Sequence, residues 1–152
     1  MTTDRPIYLD YNATTPVDAR VVEAMLPYLR SDFGNPSSSH AFGQGPRQAV
    51  ATAREQVAAL IGAAPDEVVF TGSGSEADHL AIRGVVRAAR RQGRDGLHVI
   101  TQATEHPAVL DACAVLAEDG VRVTILPVDG DGLVSPADLE GALTPETVLV
   151  TV

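Results

Sequence analysis

The sequence EVVFTGSGSEADHLAIRG, residues 67–84, decides the fold of this chain. Residues 67–71 are typical of a short buried strand, and residues 72–75 contain only glycine and serine. From Glu76 onward, apolar residues recur at helical spacing. A strand that enters a helix through a glycine turn leaves backbone N–H groups unpaired at the helix start, and such groups attract phosphate. The stretch therefore predicts a site for a phosphorylated cofactor.

Helical patterns occur on both sides of this stretch. An apolar stripe from Val50 to Ile61 predicts a helix that ends at Gly62. Residues 31–46, rich in Ser, Gly, Pro and Asn, predict a long loop. Ser135 and Pro136 are typical of the start of a short helix. Three more helices are predicted over about 17–30, 75–92 and 107–119.

Strands alternate with these helices, over residues 67–71, 97–102, 121–128 and 148–152. This alternation indicates an α/β fold with a mainly parallel sheet flanked by helices. The last strand ends the sequence, although a buried strand normally has neighbours and covering helices. We therefore expect residues 17–152 to be the N-terminal part of a larger cofactor-binding domain, incomplete at its C-terminus. Residues 1–16 are predicted to form an extended segment before it.

The composition excludes several function classes. A formal net charge of −9 is unsuited to nucleic acid, whose phosphates need a basic surface. No apolar run approaches the ~20 residues of a membrane span, and the N-terminus lacks the apolar region of a signal peptide. A single cysteine, Cys113, fits a reducing cytoplasm. All eleven basic residues are arginine, so any chemistry that needs a lysine amine requires more than these residues.

A second candidate site follows the strand over 97–102. Thr104, Glu105, His106 and Pro107 come directly after this strand and open the next helix. The carboxyl ends of parallel strands are where α/β proteins bind ligands. His106 is therefore predicted to stack on an aromatic cofactor ring or to move protons, although a histidine that only caps the helix is the alternative.

The remaining chemistry-bearing residues are interpreted as structural. His98 alternates within a strand and is expected to pack there, and Cys113 lies on an apolar helix face. Residues 129–132 lack the spacing of a calcium loop and are predicted to form a turn. His40, His79, His98 and Cys113 show no metal-ligand spacing, so we expect no metal site.

Residues 72–77 also fit the dinucleotide fingerprint G-x-G-x-x-A. That fold places an acidic residue at the end of the next strand, about 20 residues on, and Glu105 comes late for this role. A nicotinamide-dependent oxidoreductase therefore stays an alternative that the sequence supports weakly.

Five segments of the chain together carry a resemblance to a known family. They are YLDYNATTP (8–16), FGNPSS (33–38) with His40, the stretch from Phe70 to Gly84, TEHPAVL (104–110) and GLV (132–134). These segments resemble the cysteine desulfurases of the NifS/IscS type, which are class V aminotransferases with the fold of type I pyridoxal-phosphate enzymes. They occur in the order and at the spacing of the family and cover nearly the whole chain.

The resemblance implies pyridoxal 5'-phosphate as cofactor and roles for three residues. Gly74 and Ser75 would bind the cofactor phosphate, and His106 would stack on the pyridine ring as a candidate acid–base group. The implied reaction removes sulfur from L-cysteine, giving L-alanine and an enzyme persulfide for iron–sulfur cluster assembly or tRNA thiolation. The implied partners are a sulfur-acceptor protein and, in a homodimer, a second copy. Residues 8–16 would belong to the rim of the active site.

The Schiff-base lysine and the persulfide cysteine of the family have no counterpart in these residues, and Cys113 does not match the persulfide position. We therefore expect the 152-residue chain alone to be inactive. Two alternatives stay open. One is a related pyridoxal-phosphate enzyme, such as a selenocysteine lyase or an aminotransferase-like protein. The other is a non-catalytic, truncated paralogue that acts as a binding module.

Overall fold

The computed structural model describes residues 6–152, which divide into two compact units, one up to Val69 and one from Phe70 onward. The first five residues of the predicted 1–16 segment lie outside the described part, and the predicted boundary after residue 16 stays a prediction. In the part that is described, no helix is both long and apolar enough to cross a membrane.

The first unit contains two helices, α1 (Ala19–Arg30) and α2 (Ala41–Ile61). The Asp18 carboxylate caps α1 by accepting a hydrogen bond of 2.8 Å from the backbone N–H of Arg20. Helix α2 ends at Gly62, whose left-handed backbone (φ 69°) is the conformation that favours glycine. Both helices are confirmed.

The prediction of a loop over 31–46 is wrong at its end, because α2 begins at Ala41. The glycines and Pro46 in its first two turns concealed the helix. Gly43 is buried, and a Cβ atom there would lie 2.4 Å from the carbonyl oxygen of Ser38. The Arg47 guanidinium donates to the carbonyls of Pro36 and Ser38 at 2.9 and 2.7 Å. Glycine is therefore needed so that the helix can pack closely against the preceding loop.

The predicted strand over 67–71 is also wrong. A 3₁₀ turn covers Pro65–Glu67, and residues 68–71 form no regular element. A strand is defined by a neighbour to which it hydrogen bonds, and the sheet of the described residues does not include this segment. The carbonyl of Val68 instead accepts a hydrogen bond from the Arg54 guanidinium.

The second unit confirms the other predicted elements to within about two residues at nearly every boundary. Proline stands at the first position of two of its helices, as the sequence indicated, and Ser135 caps the shorter one. In chain order the elements are α3 (Gly74–Arg91), β1 (His98–Gln102), α4 (Pro107–Glu118), β2 (Arg122–Leu126), α5 (Pro136–Ala142) and β3 (Thr147–Val150).

In the described part of the chain the sheet has three strands in the order β2–β1–β3, and both pairings are parallel. The predicted parallel α/β class is thus confirmed. β1 lies in the centre, and its residues are almost completely buried. Helices α3 and α4 pack on the sheet with Ile82, Val86, Val109 and Leu116 around Val99, and this cluster forms the core. Cys113 lies in the same core and is 2% exposed, as predicted for a structural thiol.

His98 joins the three strands near the amino-terminal edge of the sheet. It is fully buried, and its Nδ1 and Nε2 atoms lie 2.9 Å from the hydroxyl of Thr147 on β3 and 2.8 Å from that of Thr124 on β2. Burial lowers the pKa of His98, the positive charge of Arg122 lowers it further, and Glu146 opposes this. A neutral ring donates through one nitrogen and accepts through the other, so both hydroxyls are satisfied.

We expect the free energy of unfolding to fall as the pH drops below about 6.5, the usual pKa of an unfolded histidine. Below that pH the unfolded chain binds a proton at His98 that the folded chain does not, until the lowered pKa is reached. The contribution is at most one proton, or ~1.4 kcal/mol per pH unit. Urea unfolding at a series of pH values measures it. His98→Gln should flatten this part of the curve, and an unchanged slope in His98→Gln contradicts the prediction.

Candidate functional site at the carboxyl edge of the sheet

The carboxyl ends of β1 and β3 lie side by side because the two strands are parallel neighbours. Helix α3 precedes β1 through a short connection, so its N-terminal half returns to the same edge. A groove of about 390 Å³ lies at this edge. It is lined by Asp78 and Ala81 of α3, by Val109 of α4 and by residues 149–152, so these segments are neighbours. The starts of α3 and α4 therefore both belong to one edge of the sheet.

The start of α3 presents free backbone donors. Ser73 is the N-cap residue, and its hydroxyl accepts a hydrogen bond of 3.2 Å from the N–H of Glu76. The Glu76 carboxylate reaches back to the N–H of Gly72 at 2.6 Å. The N–H groups of Gly74 and Ser75 donate to no atom of the described residues, and Ser75 is exposed. These two groups, at the positive end of the helix dipole, are suited to bind an anion.

The space in front of these donors is open. A Cβ atom at Gly74 would meet nothing within 4 Å, and the Ser75 hydroxyl has no partner among the described residues. Gly74 and Ser75, to which the resemblance assigns the cofactor phosphate, therefore lie at an accessible helix start. Binding of a phosphate by these two residues stays a prediction.

His106 forms the start of α4 and is exposed. Its Nδ1 atom accepts a hydrogen bond of 3.1 Å from the backbone N–H of Ala108, so the ring caps the helix. An accepting Nδ1 carries no proton, and the neutral ring therefore holds its proton on Nε2. The ring caps the helix and is exposed at the same time. The capping role is therefore compatible with the predicted role in stacking on a cofactor or moving protons.

Two polar side chains at this edge form a contact that the sequence analysis did not predict. The carboxylate of Glu105 accepts a hydrogen bond of 2.7 Å from the hydroxyl of Thr151, which follows β3. Its second oxygen lies 3.3 Å from the backbone N–H of His106. One observation in the sequence could have indicated this contact. Glu105 and Thr151 each follow a strand, and the alternation of strands and helices predicts that both strands belong to the same parallel sheet.

The other chemistry-bearing residues take structural roles. Burial raises the pKa of the Cys113 thiol, and the charge of Glu105 raises it further. The Asp129 carboxylate accepts from the N–H groups of Asp131 and Leu133, both at 2.9 Å, which lowers its pKa and closes the predicted turn. No group of three or more histidine, cysteine or acidic residues in the described part of the chain is arranged to hold a metal ion.

The sequence matches the aminotransferase class-V family over residues 7–152. The chain belongs to this family. Curated members that it resembles are named cysteine desulfurases. It is 50% identical over 152 residues to the mitochondrial cysteine desulfurase of Drosophila melanogaster, and 49% identical over 150 residues to that of Arthroderma benhamiae. It is 47% identical over 148 residues to cysteine desulfurase IscS of Dictyoglomus turgidum.

These alignments cover 97–99% of this class-V chain but only 30–37% of the relatives. The chain thus spans about a third of the length of the curated relatives it matches. The predicted resemblance to the cysteine desulfurases is confirmed.

Solved structures give the same fold. A protein titled NifS-like superposes with a TM-score of 0.86 at 35% identity, over 95% of this class-V chain and 39% of its own. SspA in complex with cysteine superposes with a TM-score of 0.83 at 39% identity, over 94% of this chain and 40% of its own. The described residues therefore have part of the fold of type I pyridoxal-phosphate enzymes, as predicted, and not a dinucleotide-binding fold.

Replacing the cap of α4 tests the geometry of His106. We expect His106→Ala to lower the free energy of unfolding by ~1 kcal/mol, because the N–H of Ala108 loses its acceptor. His106→Asn keeps a capping oxygen and should lose much less. Urea unfolding of the three proteins measures this difference. Equal stability of the alanine variant and the unchanged protein would show that the imidazole does not stabilise the helix as its cap.

Proposed function

We propose that the protein that carries this chain is a cysteine desulfurase that uses pyridoxal phosphate to remove sulfur from L-cysteine, giving L-alanine and an enzyme persulfide. The observation that carries the proposal is the pairing of an open anion site at Gly74 and Ser75 with an exposed imidazole at the same sheet edge. The names of the relatives support it, and so does a related structure solved in complex with cysteine.

The chemistry of these donors fits the cofactor. Pyridoxal phosphate joins a phosphate dianion to an aromatic ring. The N–H groups of Gly74 and Ser75 and the Ser75 hydroxyl would hold the phosphate, helped by the dipole of the 18-residue helix α3. The flat ring of His106 would stack on the pyridine ring. When bound, the cofactor supplies an electron sink for charge that develops on the substrate.

His106 is the candidate catalytic residue of this chain. Its ring is oriented by the bond from Ala108 to Nδ1, which leaves the protonated Nε2 free to donate a hydrogen bond. In this arrangement the proton that His106 can offer to a reacting group is the one on Nε2. Acceptance of a proton at Nδ1 would require the helix cap to open.

The sulfur carrier and the Schiff-base amine of the proposed reaction come from outside these 152 residues. Cys113 is 2% exposed, and its raised pKa disfavours the nucleophilic thiolate. The chain contains no lysine. The proposal therefore assigns to this chain part of the cofactor-binding site and the orientation of one catalytic ring, that of His106.

The proposal extends to partners and location. The persulfide would pass to a sulfur-acceptor protein, for iron–sulfur cluster assembly or tRNA thiolation, and the enzyme would act as a homodimer in the cytoplasm. The net charge of −9 gives no support to a nucleic-acid partner.

We expect Ser75→Ala to weaken binding of pyridoxal phosphate about 10-fold or more in the protein that carries this chain, because a hydroxyl bond to a charged phosphate is lost. Titration followed by cofactor absorbance measures the affinity. Pyridoxal, which lacks the phosphate, should bind the variant and the unchanged protein equally. Ser135→Ala, at the start of α5, is the matched control. An equal loss for pyridoxal would contradict a phosphate site at Ser75.

We also expect the isolated 152-residue chain, supplied with pyridoxal phosphate and L-cysteine, to release no alanine, because it has no lysine amine. The protein that carries the chain should release alanine and, with a reductant, sulfide in equal amounts. Alanine from the isolated chain would contradict the assignment of roles. Turnover of selenocysteine alone, or transfer of an amino group to a keto acid, would favour the related enzymes instead.

A further inference from the structure

The turn that carries His106 is fixed locally to the two strands before and beside it. The Gln102 side-chain oxygen accepts from the backbone N–H of Thr104 at 2.9 Å and from its hydroxyl at 2.6 Å. The N–H of Ala103 donates to the carbonyl of Leu126, at the end of β2, at 3.0 Å. These bonds attach the turn to β1 and β2, and none of them reaches β3.

Glu105 supplies the contact to the β3 side. Its Oε1 atom accepts a hydrogen bond of 2.7 Å from the Thr151 hydroxyl, and the N–H of Thr151 is itself anchored to the carbonyl of Ile100 on β1 at 2.9 Å. Its Oε2 atom lies 3.3 Å from the backbone N–H of His106. One carboxylate thus joins the end of β3 to the residue that carries the ring.

The surroundings of Glu105 strengthen these bonds. The residue is half-buried, and its charge reaches the buried Cys113 thiol of α4. Hydrogen bonds to a charged group are stronger than bonds between neutral groups. A carboxylate at the start of α4 also interacts favourably with the helix dipole. Loss of the Thr151 hydroxyl would leave a half-buried charge with fewer donors.

We propose that Glu105 is a positioning residue that, through Thr151, fixes the His106 ring relative to the end of β3. The inference rests on the proposed function, because a fixed orientation of the His106 ring affects activity only if the ring stacks on the cofactor. Glu105 itself need not touch cofactor or substrate. Its effect passes through the backbone of His106 and through the cap that the ring makes with Ala108.

The test uses the cofactor-free protein that carries this chain, labelled with ¹⁵N-histidine. The variants are Glu105→Gln, which has nearly the same shape without the charge, and Thr151→Val, which removes the hydroxyl. Thr151→Ser keeps the hydroxyl. Glu118→Gln is the matched control, since this exposed glutamate lies at the opposite end of α4. The ring ¹⁵N signals of His106 and the hydrogen exchange of residues 104–110 are measured, together with the affinity for pyridoxal phosphate.

We expect Glu105→Gln and Thr151→Val to speed exchange in residues 104–110 about 10-fold and to broaden or shift the His106 ring signals. Thr151→Ser and Glu118→Gln should behave like the unchanged protein. Cofactor affinity should fall in both disruptive variants, and the loss in the double variant should be smaller than the sum of the two single losses, because both variants weaken the bond between Glu105 and Thr151. Unchanged ring signals and exchange in both disruptive variants would overturn the inference.

A failure of the proposed function gives a different result. If His106→Ala leaves cofactor affinity unchanged while Glu105→Gln still loosens the turn, Glu105 positions the ring but the ring does not serve the cofactor. If His106→Ala weakens cofactor binding and neither Glu105→Gln nor Thr151→Val alters the turn, the function stands and the positioning role is wrong. Glu105→Gln and Thr151→Val are nearly isosteric, so their effect on the turn does not depend on a cavity.

Discussion

Parallel pairing of β1 with β2 and β3 is the constraint on which the candidate site depends. Parallel strands point the same way, so all their carboxyl ends lie at one edge. Each helix that connects them must run back in the opposite direction, which brings helix N-termini to that same edge. Ser75 and His106 are 31 residues apart in sequence, and they reach the same edge because α4 connects β1 to β2 and α3 leads into β1 through a short connection.

Much of the second unit could be predicted from the sequence because its signals are local. Pro107, Ser135 and Pro136 mark helix starts by their own geometry, and the apolar spacing of α3 indicates both its length and its buried face. The positions of Gly74, Ser75 and His106 follow from the order of the elements.

The predictions that failed depended on non-local contacts. The segment over 67–71 has a strand-like composition, but composition does not provide a neighbouring strand. The start of α2 was concealed because Gly43 is needed for close packing against Ser38, whereas glycine in a sequence usually indicates a loop. The contact between Glu105 and Thr151 joins residues that are 46 positions apart, and no local pattern carries such information.

The bridge from His98 to two threonines also acts against misfolding. In a sheet whose other central residues are mostly apolar, many alignments of the strands would bury similar area. A slip of β2 or β3 by one residue would turn Thr124 or Thr147 to the other face and leave a buried ring nitrogen without its hydroxyl. An unpaired buried polar atom costs ~1–3 kcal/mol. The imidazole thus discriminates between alignments that apolar packing alone would accept almost equally.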